Sequence, residues 1–164
     1  MLNVSDLNVL DRDQFVRVIG PVFEHSPWIA ERGFAQRPFD NRDELHRALC
    51  YVVRGSTTDE KLSLIRAHPD LVAKTVLTSE SQREQRSAGL SDLTEAERDQ
   101  FREYNNSYYA RFDFPFVICA RVNKKEAILR AFPQRLQNAP EIEMETALEE
   151  IYKIADLRLQ DLVQ

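Results

Sequence analysis

Histidine is the side chain best suited to acid–base chemistry near neutral pH, and this sequence has three, His25, His46 and His68. His68 stands out because Pro69 follows it directly, and an apolar residue lies three positions away on each side. A proline fixes the chain beside the imidazole, and a rigidly held imidazole is a common proton donor and acceptor in enzymes. An ordinary histidine near the carbonyl end of a helix has the same spacing, so the spacing alone leaves both interpretations open.

The other candidate metal or nucleophilic side chains do not form a recognisable site. No two histidines are three or four residues apart, which argues against a metal centre. His46 lies away from the apolar face of its helix and is predicted to be solvated, whereas His25 is expected to help end a helix. Cys50 and Cys119 are far apart and lack a CxxC partner, which predicts neither a zinc site nor a disulfide.

The stretch "SESQREQRSAG" predicts a helix with a polar face that ends at Gly89. Its shared face carries side chains at i, i+3, i+4 and i+7, namely Ser81, Glu84, Gln85 and Ala88. Such a face is either solvated or presents a hydroxyl, a carboxylate and an amide to a polar ligand.

An arginine interrupts the apolar face of the last predicted helix. Arg158 lies seven residues after Ile151 and four before Leu162, on the side that also holds Ala147 and Leu148. A guanidinium that faces inward needs a carboxylate or phosphate partner, because an unpaired buried charge costs several kcal/mol. Arg158 is therefore expected to reach the rim of the core, to pair with a structural glutamate, or to bind an anionic ligand.

The central segment, residues 114–122 with the sequence "FPFVICARV", is apolar on both faces. It fits a buried extended segment or the start of a buried helix, and its simplest role is core packing. If it is extended, some backbone N–H and C=O groups remain available to bind a heterocycle or amide. Cys119 is expected to be a small buried hydrophobe, because it has no cationic neighbour that would activate it.

The elements that position these residues are predicted to be helices. Start signals recur along the chain: Asp11 with Gln14, Ser26-Pro27, Asn41 with Glu44, Thr57 or Thr58, Ser79, Thr94 with Glu97, and Asn123 with Glu126. A final helix is predicted from Pro140 to about Val163, and Pro133 is expected to kink or interrupt the helix before it. The pattern predicts an all-α fold with about eight helices, in a single compact domain spanning residues 1–164.

Composition restricts the classes of partner. The 164 residues are 43% hydrophobic and 30% charged with only 4 glycines, which is typical of a helical globular protein. The net charge of −5 and the absence of a Lys/Arg block argue against nucleic acid and membrane surfaces as partners. No apolar leader or membrane-length run is present, so a cytoplasmic location is expected.

Five stretches resemble the OHCU decarboxylase family, whose members are 2-oxo-4-hydroxy-4-carboxy-5-ureidoimidazoline (OHCU) decarboxylases. They are "FEHSPWIAE", "RAHPDL", "SESQREQRSAGL", "FPFVICAR" and "ALEEIYKIADLRLQDLV", in the family's order and with similar spacing. The resemblance implies an all-α homodimer without cofactor or metal. It also implies conversion of OHCU to (S)-allantoin and CO2, late in urate breakdown.

The resemblance also implies roles for particular residues. His68 is the expected catalytic histidine and Glu84 the expected catalytic carboxylate. Substrate contacts are implied for Pro69, Ser81, Gln82, Arg83, Glu84, Gln85, Phe116, Val117, Ile118, Cys119, Ala120 and Arg158. The 116–120 residues are expected to contribute backbone contacts, and Arg158 is expected to bind or steer the anionic substrate.

Two departures from the family pattern concern the backbone. Ala73 and Asp113 stand where the family often has glycine, which puts the local conformation in doubt if φ is positive there. Two rival hypotheses are a catalytically silent helical binding module and a metal-assisted hydrolase that uses the three histidines. Retention of His68, Glu84 and Arg158 disfavours the first rival, and the histidine spacing disfavours the second.

Overall fold

The structure is a computed structural model that describes residues 1–72 and 76–164. Within these residues the fold consists of α-helices and short 3₁₀ turns, without a β-strand. The helices are α1 (Val4–Val9), α2 (Arg12–Ile19), α3 (Trp28–Gly33), α4 (Arg42–Arg54), α5 (Thr58–Arg66), α6 (Ser79–Ser87), α7 (Glu95–Phe112), α8 (Lys125–Arg135) and α9 (Pro140–Leu162). The predicted all-α fold is confirmed.

Local capping explains most helix starts. The side chains of Asp11, Asn41, Thr57 and Thr94 each accept a hydrogen bond from the backbone N–H three residues on, as predicted. Two predicted caps are wrong by one residue. Ser26 donates its hydroxyl to the Glu24 carbonyl while α3 starts after Pro27, and Asn123 donates to the Cys119 carbonyl while α8 starts after Lys124.

The described chain groups into two compact units, residues 1–67 with 152–164 and residues 68–151. The prediction of one domain over residues 1–164 stays a prediction. In the first unit Phe15, Leu45 and Leu49 are fully buried. Arg37 donates to the carbonyls of Leu7, Asn8 and Leu10 at the end of α1, and Leu2 forms a parallel bridge with Val163.

The second unit has an aromatic core built by α7, α8 and the central segment. Phe116 stacks on Phe132 with ring centroids 3.8 Å apart, and Tyr108 contacts Phe116 edge-on at 5.2 Å. Residues 114–119 are buried and belong to no helix or strand, and Ala120–Val122 form one 3₁₀ turn. The central segment therefore runs through this core as irregular buried backbone.

One proline and the two positions where the family often has glycine bear on the predicted elements. Pro133 lies in the last turn of α8, and Leu136 still donates to the Phe132 carbonyl at 2.9 Å. Of the predicted kink or interruption, the interruption is therefore wrong, and the kink stays a prediction. Asp113 ends α7 in the left-handed conformation, with φ 60° and ψ 30°, which aspartate tolerates better than most residues. Ala73 lies outside the described residues.

Candidate active site

His68 begins the second unit, two residues after α5 ends. Its side chain is buried at 8% exposure. The chain that follows it is fixed by side chains of two helices. Gln85 of α6 accepts a hydrogen bond from the Val72 N–H at 3.2 Å, and Asn105 of α7 donates to the Leu71 carbonyl at 2.8 Å. Side chains of two helices thus hold Leu71 and Val72, which lie three and four residues after the imidazole.

Helix α6 turns its polar face inward. Thr78 caps the helix, and Gly89 with φ 83° follows it. Ser81, Glu84 and Gln85 are all below 10% exposure, so the face predicted to be either solvated or ligand-binding is buried. Gln82 and Arg83 of the same helix are exposed. Their implied substrate contacts stay predictions.

Glu84 and the central segment meet in this unit. The Lys125 N–H donates to the Ala88 carbonyl at 3.0 Å, and the Lys124 ammonium donates to the Ser87 carbonyl at 2.6 Å, so the end of α6 is tied to the start of α8. The pKa of the Cys119 thiol is raised, mainly by burial and also by the nearby carboxylates of Glu150 and Glu84. Cys119 is fully buried, which confirms the prediction that it is a small core residue rather than an activated thiol.

The backbone of the central segment is only partly satisfied. Arg135 donates to the Val117 carbonyl at 2.6 Å, and the Cys119 N–H donates to Glu150 at 3.3 Å. Among the described residues, neither the N–H nor the C=O of Ile118 has a hydrogen-bond partner. Ile118 is 8% exposed, so it is largely shielded from bulk water.

Arg158 lies in the first unit and is buried there with a carboxylate. Its Nη2 is 3.0 Å from Oε2 of Glu24, with side-chain exposures of 5% and 1%. Its Nη1 donates to the Pro21 carbonyl at 3.3 Å. Of the three alternatives for this arginine, pairing with a glutamate is observed, and the binding of an anionic ligand stays a prediction. Sequence reasoning missed Glu24, because nothing local in the sequence links it to a residue so distant in the chain.

The remaining histidines take structural positions. His46 is half-buried, with Nε2 2.9 Å from the Tyr152 carbonyl oxygen, so the predicted solvated side chain is wrong. The apolar pattern of α4 could not predict this contact, because the carbonyl belongs to a residue far away in the sequence. His25 is exposed, with φ 44°, and its ring nitrogen is 3.9 Å from Glu24. Among the described residues no group of three or more His, Cys, Asp or Glu side chains could hold a metal ion.

A polar cavity of about 820 Å³ lies in the second unit, lined from α6 by Gln82, Gln85 and Arg86 and from α7 by Arg98, Arg102 and Asn105. Asp70 lines it as well, and burial raises the pKa of this carboxyl. Gln85 thus faces both this cavity and the loop after His68.

Within the part of the chain that the structure describes, no helix is long and apolar enough to cross a membrane.

The fold and these residues define an all-α protein that buries a histidine and a carboxylate in one unit. A family model described as OHCU decarboxylase matches residues 8–160. The chain belongs to the OHCU decarboxylase family.

Similar proteins agree with this membership. A 2-oxo-4-hydroxy-4-carboxy-5-ureidoimidazoline decarboxylase of Haloferax volcanii is 40% identical over 160 residues, which are 98% of this chain and 95% of that protein. The uric acid degradation bifunctional protein PucL of Bacillus subtilis is 40% identical over 163 residues, 99% of this chain but 33% of that protein. A crystal structure of (S)-allantoin synthase has a TM-score of 0.82 and 30% identity, and this chain spans 54% of that one.

Proposed function

We propose that this protein is a cofactor-independent carboxy-lyase that converts OHCU to (S)-allantoin and CO2 in urate breakdown. The observation that carries the proposal is the match to the OHCU decarboxylase family over residues 8–160. The relatives named for OHCU decarboxylation and uric acid degradation support the same substrate and pathway. The solved (S)-allantoin synthase supports the product and its configuration.

The reaction needs no external electron acceptor. The carboxylate of OHCU is bonded to a carbon beside a C=N bond. When the C–C bond to CO2 breaks, its electron pair forms a C=C bond and the C=N pair moves to nitrogen. That nitrogen takes up a proton, loss of the hydroxyl proton gives a carbonyl, and a proton added to the carbon that bears the ureido group gives allantoin. The carboxylate form of the substrate thus takes up one proton in total. The protein must orient the carboxylate, move these protons and exclude water, and such positioning lowers barriers by several kcal/mol.

His68 is proposed to take or shuttle the hydroxyl proton. Its burial and the anchored loop after it support a fixed imidazole. Glu84, buried on the inward face of α6, would orient the ureido N–H groups, with Ser81 and Gln85 as further polar contacts. Substrate contacts are also proposed for Pro69, Gln82 and Arg83, because the family resemblance implies them.

The central segment is proposed to bind the heterocycle through its backbone. The N–H and C=O of Ile118, which have no hydrogen-bond partner among residues 1–72 and 76–164, match the alternating donors and acceptors of a ureido or ring amide. Phe116, Val117, Cys119 and Ala120 would complete an apolar enclosure around that contact. Arg158 is proposed to bind the anionic substrate, with Glu24 orienting its guanidinium.

Circular dichroism tests the activity directly. OHCU is generated in situ from urate by the enzymes that supply it, and the signal of the allantoin formed is followed with and without this protein. Rapid appearance of the S enantiomer only when the protein is present is the expected result. Racemic allantoin at the uncatalysed rate in both samples would reject the proposed lyase and favour a silent binding module.

Two finer properties belong to the same proposal. The protein is proposed to act as a homodimer in the cytoplasm, as the family resemblance implies. Light scattering after size exclusion should give twice the 19.1 kDa chain mass. A mass near that of one chain at assay concentration would reject the dimer without affecting the proposed reaction.

A further inference from the structure

A buried polar cluster contacts the central segment, and none of its residues was predicted to be a site residue. Arg135 of α8 is 8% exposed and Glu143 of α9 is fully buried. The Arg135 Nε donates to Oε1 of Glu143 at 2.5 Å, and the Tyr108 hydroxyl donates to the same oxygen at 2.5 Å. Burial and this hydrogen bond raise the pKa of Tyr108 above its usual value, so the hydroxyl stays a donor.

Besides a hydrogen bond from the Asn138 side chain to Oε2 of Glu143 at 3.0 Å, the cluster contacts a backbone carbonyl of the central segment. Arg135 Nη1 donates to the Val117 oxygen at 2.6 Å, and its guanidinium carbon lies 4.2 Å from the centre of the Phe116 ring. On the other side of Ile118, Glu150 accepts the Cys119 N–H at 3.3 Å. Side chains therefore clamp the peptides before and after Ile118, and the Ile118 groups between them remain free of partners in the described structure.

A gain in folding stability does not by itself explain the presence of this buried cluster. An arginine and a glutamate removed from water carry a desolvation cost that their attraction only partly offsets. Replacing a buried ion pair by apolar side chains of similar size is often neutral or stabilising. An irregular segment has no ladder of backbone hydrogen bonds to fix its peptide planes, and directional contacts from Arg135 supply that constraint.

We propose that Arg135, supported by Glu143, is a positioning residue for the decarboxylation. By holding the Val117 carbonyl it sets the peptide orientation of Ile118, and with it the angle at which the substrate ring lies. The face of the ring that receives the proton depends on this angle, so Arg135 controls stereochemistry as well as rate. The inference rests on the proposed function, since it requires substrate at the Ile118 backbone.

The test separates positioning from stability with one variant. Tyr108→Phe/Arg135→Met/Glu143→Leu removes every charge and hydroxyl of the cluster while keeping its volume. We expect urea unfolding close to wild type, a kcat/KM lower by about tenfold or more, and a smaller excess of (S)-allantoin. Wild-type kcat, KM and enantiomeric excess in this variant would show that the cluster is only structural and would overturn the inference.

A second variant keeps the test decisive if the triple variant does not fold. Arg135→Lys retains a cation beside Glu143, but one ammonium lacks the planar fork that reaches both Glu143 and the Val117 carbonyl. We expect a lower enantiomeric excess and kcat/KM for Arg135→Lys. Arg130→Lys, on an exposed position of the same helix, is the matched control and should match wild type.

Equal activity and enantiomeric excess in Arg135→Lys, Arg130→Lys and wild type would also overturn the inference. A wild-type protein without decarboxylase activity would reject the proposed function and the inference with it. An active wild type with unaffected variants would reject the inference alone.

Discussion

At the scale of single residues, the charged side chains of this protein form both buried and exposed ion pairs. Arg158 and Glu24 are both nearly inaccessible and 3.0 Å apart, whereas Arg12 and Glu31 form an exposed pair at 3.7 Å. Removing one member of a buried pair leaves an uncompensated charge in a medium of low polarity. The surface pair loses little, because water and salt already screen it.

Arg158→Met should therefore destabilise the protein by about 3–5 kcal/mol, because the buried carboxylate of Glu24 loses the guanidinium that lies 3.0 Å from it. Arg12→Met is the control and should cost about 0–1 kcal/mol. Urea unfolding monitored by far-UV circular dichroism measures both. Equal losses in the two variants would contradict the importance of the buried pair.

His68→Asn should reduce kcat by about 10²–10⁴ fold without changing the unfolding midpoint, since the imidazole is the proposed proton carrier. His25→Asn is a matched control, because His25 is exposed with φ 44° and asparagine accepts that conformation well. The in situ OHCU assay compares them. A folded His68→Asn protein with wild-type kcat would reject the assigned role.

Sequence rules correctly predicted features that depend only on residues within one helical turn of each other. The caps at Asp11, Asn41, Thr57 and Thr94 needed only neighbouring residues, and the burial of Cys119 followed from its apolar surroundings. The partners of Arg158, Arg135 and His46 could not be predicted, because each contact joins positions that only tertiary packing brings together. Helix α1 was also missed, because six residues carry too little periodicity to predict a helix.

At the scale of elements, the turn that ends α6 helps to fix the orientation of its polar face. Gly89 follows the helix with φ 83°, a conformation that costs residues with a Cβ about 1–2 kcal/mol. After this turn, Leu90 donates from its N–H to the Gln85 carbonyl, and Lys125 at the start of α8 closes on Ala88. The turn thus helps to keep Ser81, Glu84 and Gln85 on the buried side.

Gly89→Ala should accordingly lower the free energy of unfolding by about 1–2 kcal/mol through backbone strain, since its Cβ would meet nothing closer than the Lys125 side chain at 4.0 Å. Gly55→Ala, at the end of α4 with φ −82°, is the control and should raise stability by about 0.5 kcal/mol. Thermal and urea unfolding distinguish the two signs. A loss for Gly55→Ala as large as for Gly89→Ala would show that the φ argument is wrong.

At the scale of the whole molecule, the chain carries a net charge of −5 and its substrate is proposed to be an anion. The net charge therefore supplies no long-range attraction for the substrate, and the proposed recognition relies on local groups such as the Ile118 backbone. A divalent metal would be another way to attract an anion, and the proposed mechanism uses none.

Dialysis against EDTA, followed by assay in metal-free buffer, should leave kcat and KM unchanged, because every proposed step uses side chains, backbone groups and the substrate's own C=N bond. The coupling enzymes are treated in the same way and assayed separately as the control. Loss of activity in this protein alone, restored by one added metal, would revive the hydrolase-like metal hypothesis.

The bridge between Leu2 and Val163 has a topological consequence. The Leu2 N–H donates to the Leu162 carbonyl at 3.0 Å, and the Gln164 N–H donates to the Leu2 carbonyl at 2.9 Å. A short linker could therefore join the two ends of this sequence into a ring. New ends cut at the exposed turn of Ser91 and Asp92 would then give a circularly permuted protein with the same helices. In such a chain α9 would be synthesised before α1, so the order of the helices along the chain could be varied independently of their packing.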